Sequence, residues 1–222
     1  MKPKQSEERY SRQKDIVPAE RIAACKATVI GVGAIGRQVA LQLTAMGIST
    51  LQLIDYDTVE ISNLSSQGYS ELDLGKLKVK ATAGLCEWMD SGIEIHTLAE
   101  RFRRSTEVGN VVFCTVDSIQ VRQLIWAAVA DKVSFFSDGR MSAEVVRILT
   151  VCDSASRYHY PQTLFSAEEA YDGSCTAKTT IYSANIAAGL MLSQFTRYLR
   201  QLPIDCDIQL NLLTSELNVG NA

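Results

Sequence analysis

A glycine-rich turn near the start of the chain is the strongest chemical feature of the sequence. Gly31, Gly33 and Gly36 follow the apolar run 27–30 and precede a stretch with helical periodicity. Glycines let a backbone approach phosphate oxygens closely, and the first amides of the following helix are free donors. Asp55 ends a second apolar run, 19 residues beyond the last of these glycines, where it can bind ribose hydroxyls. This spacing predicts a nucleotide-binding β–α–β unit.

Two other interpretations of these residues stay open at this point. A glycine turn can be purely structural, and Asp55 can be a solvated carboxylate at a strand end. A dinucleotide-dependent dehydrogenase also uses such a loop and such an acid. The loop alone therefore does not choose between ATP and NAD.

Strands and helices alternate along the chain around this unit. Strands are predicted at 27–30, 51–55, 93–96, 111–115, 134–137, 143–151 and 208–217, and helices at 20–27, 35–47, 76–89, 120–130 and 181–199. Residues 59–73 are predicted to be an irregular polar connection. The pattern predicts an α/β fold that is Rossmann-like and doubly wound, with a mainly parallel sheet and an antiparallel C-terminal portion.

The composition is that of an ordinary globular protein. The chain has 222 residues, of which 46% are hydrophobic, and we expect a single domain over 1–222, with an N-terminal arm at 1–20 and a mobile flap at 154–175. Its 22 basic and 25 acidic residues are interspersed, which argues against a nucleic-acid or anionic-membrane partner. No secretory signal or membrane-spanning run is visible, so we expect a cytoplasmic protein.

The six cysteines include no Cys-x-x-Cys pair. This spacing does not suit a compact zinc site, so we expect no zinc and, in a reducing compartment, free thiols.

The residues after the second strand carry a longer motif. Residues 55–64 read D-Y-D-T-V-E-I-S-N-L, which resembles the D-x-D-x-V-x-x-S-N-L signature of the ThiF/MoeB/HesA family, bacterial relatives of ubiquitin-activating enzymes. Further segments agree with that family in the same order, at 9–13, 75–78, 117–122 and 175–177. The resemblance spans about residues 9–200.

The resemblance implies that ATP and the C-terminal carboxylate of a small ubiquitin-like or sulfur-carrier protein react to give an acyl-adenylate and pyrophosphate. It assigns ATP binding to the glycine loop with Asp55, Asp57, Asn63 and Lys78, and it puts Asp117 near Mg²⁺ and the α-phosphate. Attack of a carboxylate on a phosphate needs cations and aligned donors, which suits these residue types. The simpler alternatives are a surface lysine, a helix N-cap for Asp117 and a loop asparagine that bonds its own backbone.

Two further roles follow from the resemblance. Arg12 resembles an arginine that reaches the ATP of the neighbouring subunit, which implies a homodimer. Cys175 lies where some members carry a cysteine that accepts the acyl group. The alternatives are a solvated arginine in a polar arm and an inert thiol.

One position departs from the family pattern. The family's loop continues N-L-x-R-Q, whereas this chain has Ser66 in the place of the phosphate-binding arginine. A hydroxyl cannot supply the charged fork of a guanidinium. Either another cation such as Lys76, Arg37 or Arg140 substitutes, or catalysis is slower, or the protein is a nucleotide-binding pseudoenzyme.

The leading hypothesis is therefore an ATP-dependent adenylyltransferase that acts as a homodimer on a ubiquitin-like or sulfur-carrier protein. The alternatives are a catalytically inactive scaffold of the same fold and an NAD-dependent oxidoreductase.

Overall fold

The computed structural model describes residues 8–164 and 179–220. These residues form eight strands and the helices between them. The strands are β1 (Lys26–Ile30), β2 (Thr50–Ile54), β3 (Glu94–Leu98), β4 (Val111–Cys114), β5 (Phe135–Ser142), β6 (Val145–Val151), β7 (Asp207–Asn211) and β8 (Glu216–Gly220). The α-helices are α1 (Ala19–Ala23), α2 (Ala34–Met46), α3 (Ile61–Gln67), α4 (Lys78–Met89), α5 (Ile119–Val129), α6 (Ser154–His159) and α7 (Ile181–Leu199). Short 3₁₀ helices lie at Ser11–Gln13, Glu71–Asp73 and Tyr160–Thr163.

All eight strands belong to one sheet in the order β3-β2-β1-β4-β5-β6-β7-β8. The first five strands of that order run parallel, and β6, β7 and β8 each pair antiparallel with their neighbours. The predicted fold class, a doubly wound and mainly parallel sheet with an antiparallel C-terminal portion, is confirmed. The chain leaves β1 toward β2 on one side and returns to β4 on the other, which makes a topological switch point next to β1.

Helices cover both faces of the parallel strands. Because successive side chains of a strand point to opposite faces, Val111 and Phe113 pack with α2, α4 and α7, while Val112 and Cys114 pack with α5. Burial on both faces explains why these strands are continuous apolar runs in the sequence. None of the helices described is long and apolar enough to cross a membrane.

The connection at 59–73, predicted to be irregular, contains the seven-residue helix α3 and a 3₁₀ turn. Glu60 and Asn63 form a reciprocal capping box at the start of α3, and Gly68 ends it with φ +74°. The prediction was wrong because the helix is short and its polar composition hides any apolar periodicity.

The predicted final strand at 208–217 is a hairpin made of β7 and β8. Asn211 turns the chain, since its Oδ1 accepts hydrogen bonds from the amides of Leu213 and Thr214. Ser215 then takes a left-handed conformation with φ +58°. Apolar residues alternate before the turn and resume at Leu217 after it, with no Gly or Pro between, so periodicity alone did not reveal the turn.

The start of the predicted flap at 154–175 consists of α6 and the 3₁₀ helix that follows it. Tyr160 is only 1% exposed there and packs against Trp126 and Phe136. Residues 165–175 lie outside the described residues, so mobility of the flap stays a prediction.

Candidate functional site

The glycine loop joins β1 to α2 at the switch point of the sheet. Gly31 has φ +87°, a conformation that side chains disfavour. A Cβ at Gly36 would lie 1.9 Å from the carbonyl oxygen of Gly31 and 2.5 Å from Oγ1 of Thr115. The Thr115 hydroxyl donates to the Gly31 carbonyl at 2.6 Å. The loop is therefore closed on itself and fixed to the end of β4, a shape that only glycine permits at both positions.

The first turn of α2 faces this loop with free amides. Its N-cap is Gly33, which has no side chain to accept hydrogen bonds from them. Unpaired amides and the positive end of the helix dipole together attract an anion. The helix ends at Gly47 with φ +97°, where the sequence predicts its end.

Asp55 fastens the glycine loop to the end of β2. One carboxylate oxygen accepts from the amide of Val32 at 2.6 Å, and the other accepts from the amide of Asp57 at 2.8 Å. Burial raises the pKa of Asp55, while these hydrogen bonds and the charge of Lys78 oppose the rise. The structure brings this carboxylate to the loop as the spacing predicts, and ribose binding by it stays a prediction.

Lys78 and Asp57 form an ion pair beside Asp55. Lys78 Nζ lies 3.0 Å from Asp57 Oδ2, and the Lys78 amide donates to the Asp57 carbonyl at 2.9 Å. The lysine side chain is 8% exposed, whereas that of its partner is 46% exposed. The surface-lysine alternative is therefore wrong: the ammonium is held by α4 next to the end of β2.

Asn63 and Ser66 lie on α3, the helix that ends at Gln67. Asn63 Oδ1 accepts from the Glu60 amide at 3.0 Å, which is the local bonding expected of the simpler alternative. The Ser66 hydroxyl donates to the Ser62 carbonyl at 2.9 Å. Both polar groups are thus used within their own helix, and position 66 brings no charge to the site.

Asp117 follows β4 with its side chain exposed. Ser118, not Asp117, is the N-cap of α5, since its side chain accepts from the Val121 amide, so the helix-cap alternative is wrong. Across the described residues, no group of three His, Cys, Asp or Glu side chains could hold a metal ion. Mg²⁺ here would take Asp117 together with phosphate and water oxygens, a ligand set that suits this hard cation.

A buried ionic cluster supports the Asp117 loop, and the sequence reasoning missed it. Asp138, fully buried, accepts from Arg122 Nε and Arg140 Nε at 2.8 Å each and from the Tyr160 hydroxyl at 3.0 Å. Arg122 also donates to the carbonyl of Asp117 at 3.2 Å. The sequence does contain a sign of this cluster: Asp138 and Arg122 are charged residues that interrupt the apolar patterns of β5 and α5.

Arg12 lies away from the other candidate residues of its own chain. The neighbouring Tyr10 packs on Gly47, at the C-terminal end of α2, and its hydroxyl donates to Asp90 at the end of α4. The 13 residues of α2 span about 20 Å, and the glycine loop is at the other end. Arg12 is exposed on this arm and does not join the site of its own chain.

The five described cysteines are free thiols, and burial raises the pKa of each, Cys25, Cys86, Cys114, Cys152 and Cys206. The pKa of Cys114 rises to about 12 and that of Cys152 to about 11, so both are protonated at neutral pH. Cys175 lies outside the described residues.

Fold and site together define a doubly wound α/β domain whose glycine-rich β–α turn lies at the switch point beside a carboxylate and a buried lysine. Comparison with models of protein families identifies the family within this class of α/β proteins. The model of the ThiF family matches residues 10–216, and the chain belongs to the ThiF family.

Curated relatives match about half of the chain. The adenylyltransferase and sulfurtransferase MOCS3 of Dictyostelium discoideum is 36% identical over 129 residues, which are 53% of this chain and 30% of that protein. The NEDD8-activating enzyme E1 catalytic subunit of Caenorhabditis elegans is 30% identical over 129 residues, 54% of this chain and 29% of that protein. The matched region spans less than a third of either relative.

Solved structures share the fold over nearly the whole chain. PaaA aligns with a TM-score of 0.79 at 21% identity, covering 98% of this chain and 73% of that one. Escherichia coli MccB aligns with a TM-score of 0.81 at 16% identity, covering 96% and 69%.

Proposed function

We propose that this chain is an ATP-dependent adenylyltransferase that activates the C-terminal carboxylate of a small ubiquitin-like or sulfur-carrier protein. The observation that carries the proposal is the buried Lys78 paired with Asp57, beside Asp55 and the free amides of α2. A buried cation next to uncapped helix amides suits a polyphosphate. Membership of the ThiF family and MccB, which has been solved with ATP, support this choice of nucleotide.

The reaction places two anions in contact. An oxygen of the substrate carboxylate attacks the α-phosphorus of ATP, a new C–O–P linkage forms, and the bond from that phosphorus to the bridging oxygen breaks to release pyrophosphate. The Lys78 ammonium and the amides of α2 would offset the charge on the phosphate oxygens. Asp117 would hold Mg²⁺, whose contribution when bound is to neutralise further phosphate charge.

The same proposal includes a homodimer in the cytoplasm, with the chain acting as one adenylation domain. Arg12 lies about the length of α2 from the glycine loop of its own chain, so a role at the phosphates requires a second subunit. An arginine supplied across a two-fold axis would complete each site with a residue of the other chain.

We also propose Cys175 as the acyl acceptor after adenylation. The sulfur would attack the acyl carbon of the adenylate, AMP would leave, and the thiol proton would pass to solvent. The described cysteines are poor candidates because burial raises their pKa. Cys175→Ala should form adenylate without a covalent adduct, with Cys152→Ala as the matched control. An unchanged adduct in Cys175→Ala would contradict this role.

Pyrophosphate exchange tests the proposed function. Labelled pyrophosphate should enter ATP only when the chain is mixed with a small carrier protein ending in Gly-Gly, and a carrier lacking its last glycine is the control. Exchange that depends on the terminal glycine supports adenylation. Failure with every carrier, with dimerisation retained, would favour the scaffold alternative.

A further inference from the structure

We infer that Arg37, the residue directly after the glycine loop, supplies the polyphosphate-binding cation that Ser66 cannot. The inference rests on the proposed function, because it needs a nucleoside triphosphate at the loop. It assigns to Arg37 the recognition of the β- and γ-phosphates, and hence the preference for ATP over AMP.

Among the three cations that could compensate for Ser66, two are already engaged. Lys76 is an exposed lysine whose Nζ lies 3.4 Å from Asp73. Arg140 donates from Nε to Asp138 and from its two terminal nitrogens to Thr163, at 2.8 and 3.1 Å. Moving either residue to the glycine loop would break these contacts.

Arg37 is buried without a carboxylate in ion-pair contact. It is 4% exposed, its Nε has no hydrogen-bond partner, and within residues 8–164 and 179–220 it forms no ion pair. Its guanidinium stacks on the ring of Tyr69, 4.6 Å from the centroid. Desolvation lowers its pKa, and the nearby Asp73 carboxylate opposes this shift only in part. Burying an unpaired charge is costly, and an anion bound at this place would offset the cost.

Tyr69 links Arg37 to the glycine loop. Its amide donates to the Gly33 carbonyl at 3.1 Å, so it stands one helical turn above Gly33 on the same face. Side chains on a helix lean toward its N-terminus, which here is the loop. The Tyr69 hydroxyl donates to the Val32 carbonyl at 2.6 Å and ties the stacked pair to that loop.

A second unsatisfied group borders the same place. Gln67 Oε1 lies 3.9 Å from the position of a Cβ at Gly33, and this buried oxygen also lacks a partner. The oxygen and nitrogen of an amide exchange places by a half-turn, so Gln67 can present a donor instead. Arg37 and Gln67 thus each offer an unsatisfied group beside the uncapped amides of α2, and together these groups suit the oxygens of a multiply charged phosphate.

The test compares binding of ATP and AMP by calorimetry at fixed Mg²⁺. Replacing Arg37 with methionine keeps the length of the side chain and removes the charge. Arg37→Met should weaken ATP binding by about 10- to 100-fold, the effect of one charge-assisted hydrogen bond or two, and leave AMP binding nearly unchanged. Arg147→Met is the matched control, since this arginine pairs with Asp207 far from the loop.

Restoring the family's arginine at position 66 provides a second test, made both in the wild type and in Arg37→Met. Ser66→Arg should raise the ATP-over-AMP preference less than about two-fold in the wild type and about ten-fold or more in Arg37→Met. A ten-fold gain in the wild type would show that the cation position is empty and would overturn the inference. An unchanged ATP-over-AMP ratio in Arg37→Met would overturn it as well. Absence of ATP binding by the wild type contradicts the proposed function instead.

Discussion

Replacing Gly36 with alanine tests whether the glycine loop is as tightly closed as the structure shows. The added Cβ would lie 1.9 Å from the Gly31 carbonyl oxygen and 2.5 Å from Thr115 Oγ1. Both distances are far inside the roughly 3.5 Å of a favourable contact. The nearer neighbour is backbone, so it cannot rotate away, and the loop itself has to move.

The expected magnitude follows from two opposing effects. Gly36 is inside α2, where alanine is preferred over glycine by about 1 kcal/mol. Overpacking a rigid site costs about 1–3 kcal/mol and occasionally more, and here the upper end applies. We therefore expect the free energy of unfolding to fall by about 2 kcal/mol, which in a domain of this size lowers Tm by about 4–8 °C.

Gly84→Ala is the matched control. Gly84 is also inside a helix, α4, and nothing lies within 4 Å of an added Cβ. This variant should gain about 0.5–1 kcal/mol because only the helix preference acts. Thermal and urea unfolding of both variants measure the difference, and ATP titration should show weaker binding only for Gly36→Ala. If Gly36→Ala were as stable as Gly84→Ala, the loop could not be as tightly closed as the structure shows.

Three further predictions concern catalysis, assembly and stability. Lys78→Met should lower carrier-dependent pyrophosphate exchange by about 100-fold or more, and an unchanged rate would exclude Lys78 from the reaction. Mixing Arg12→Ala with Lys78→Met should restore about a quarter of wild-type exchange, because half of the randomly paired dimers are mixed and each mixed dimer has one of its two sites intact. No recovery of exchange after the subunits have been allowed to exchange would refute a shared site. Asp138→Ala should lower the free energy of unfolding in urea by about 3–5 kcal/mol, since it leaves two buried arginines unpaired, and a loss below about 1 kcal/mol would contradict the buried cluster.

A further prediction is a pH dependence. Burial tends to raise the pKa of Asp207, but hydrogen bonds from Arg147 outweigh this effect and hold that pKa below its ordinary value. The Arg147–Asp207 pair therefore stabilises the fold fully above the ordinary aspartate pKa of about 3.9. This stabilisation disappears as the pH falls through the lower pKa that Asp207 has in the folded protein. Asp207→Asn should therefore be less stable than the wild type at pH 7 and approach it in acid; a difference independent of pH would contradict the ion pair.

The strands and the glycine loop could be predicted because each depends on a local pattern. The short apolar run that ends at the glycines before α2 is typical of a buried strand, and the position of Asp55 follows from the end of the next strand. The parallel order then brings both to one edge of the sheet without any further information.

The rest depends on contacts between distant parts of the chain. Asp138 and Arg122 are 16 residues apart and appear in the sequence as isolated charges, so only the packing of α5 on β5 reveals that they pair. The unpaired state of Arg37 is equally invisible, because a sequence does not show which cations already have partners. The place of Arg12 at the far end of α2 depends on how Tyr10 packs on Gly47.

Calorimetric titration of the wild-type chain with ATP and Mg²⁺ and, separately, with NAD tests whether the chain is a nucleoside-triphosphate enzyme. We expect tighter binding of ATP, because the proposal assigns Lys78 and Arg37 to the triphosphate, and we expect Lys78→Met to weaken ATP binding selectively. Tighter binding of NAD, unaffected by Lys78→Met, would contradict the proposed function and favour an oxidoreductase.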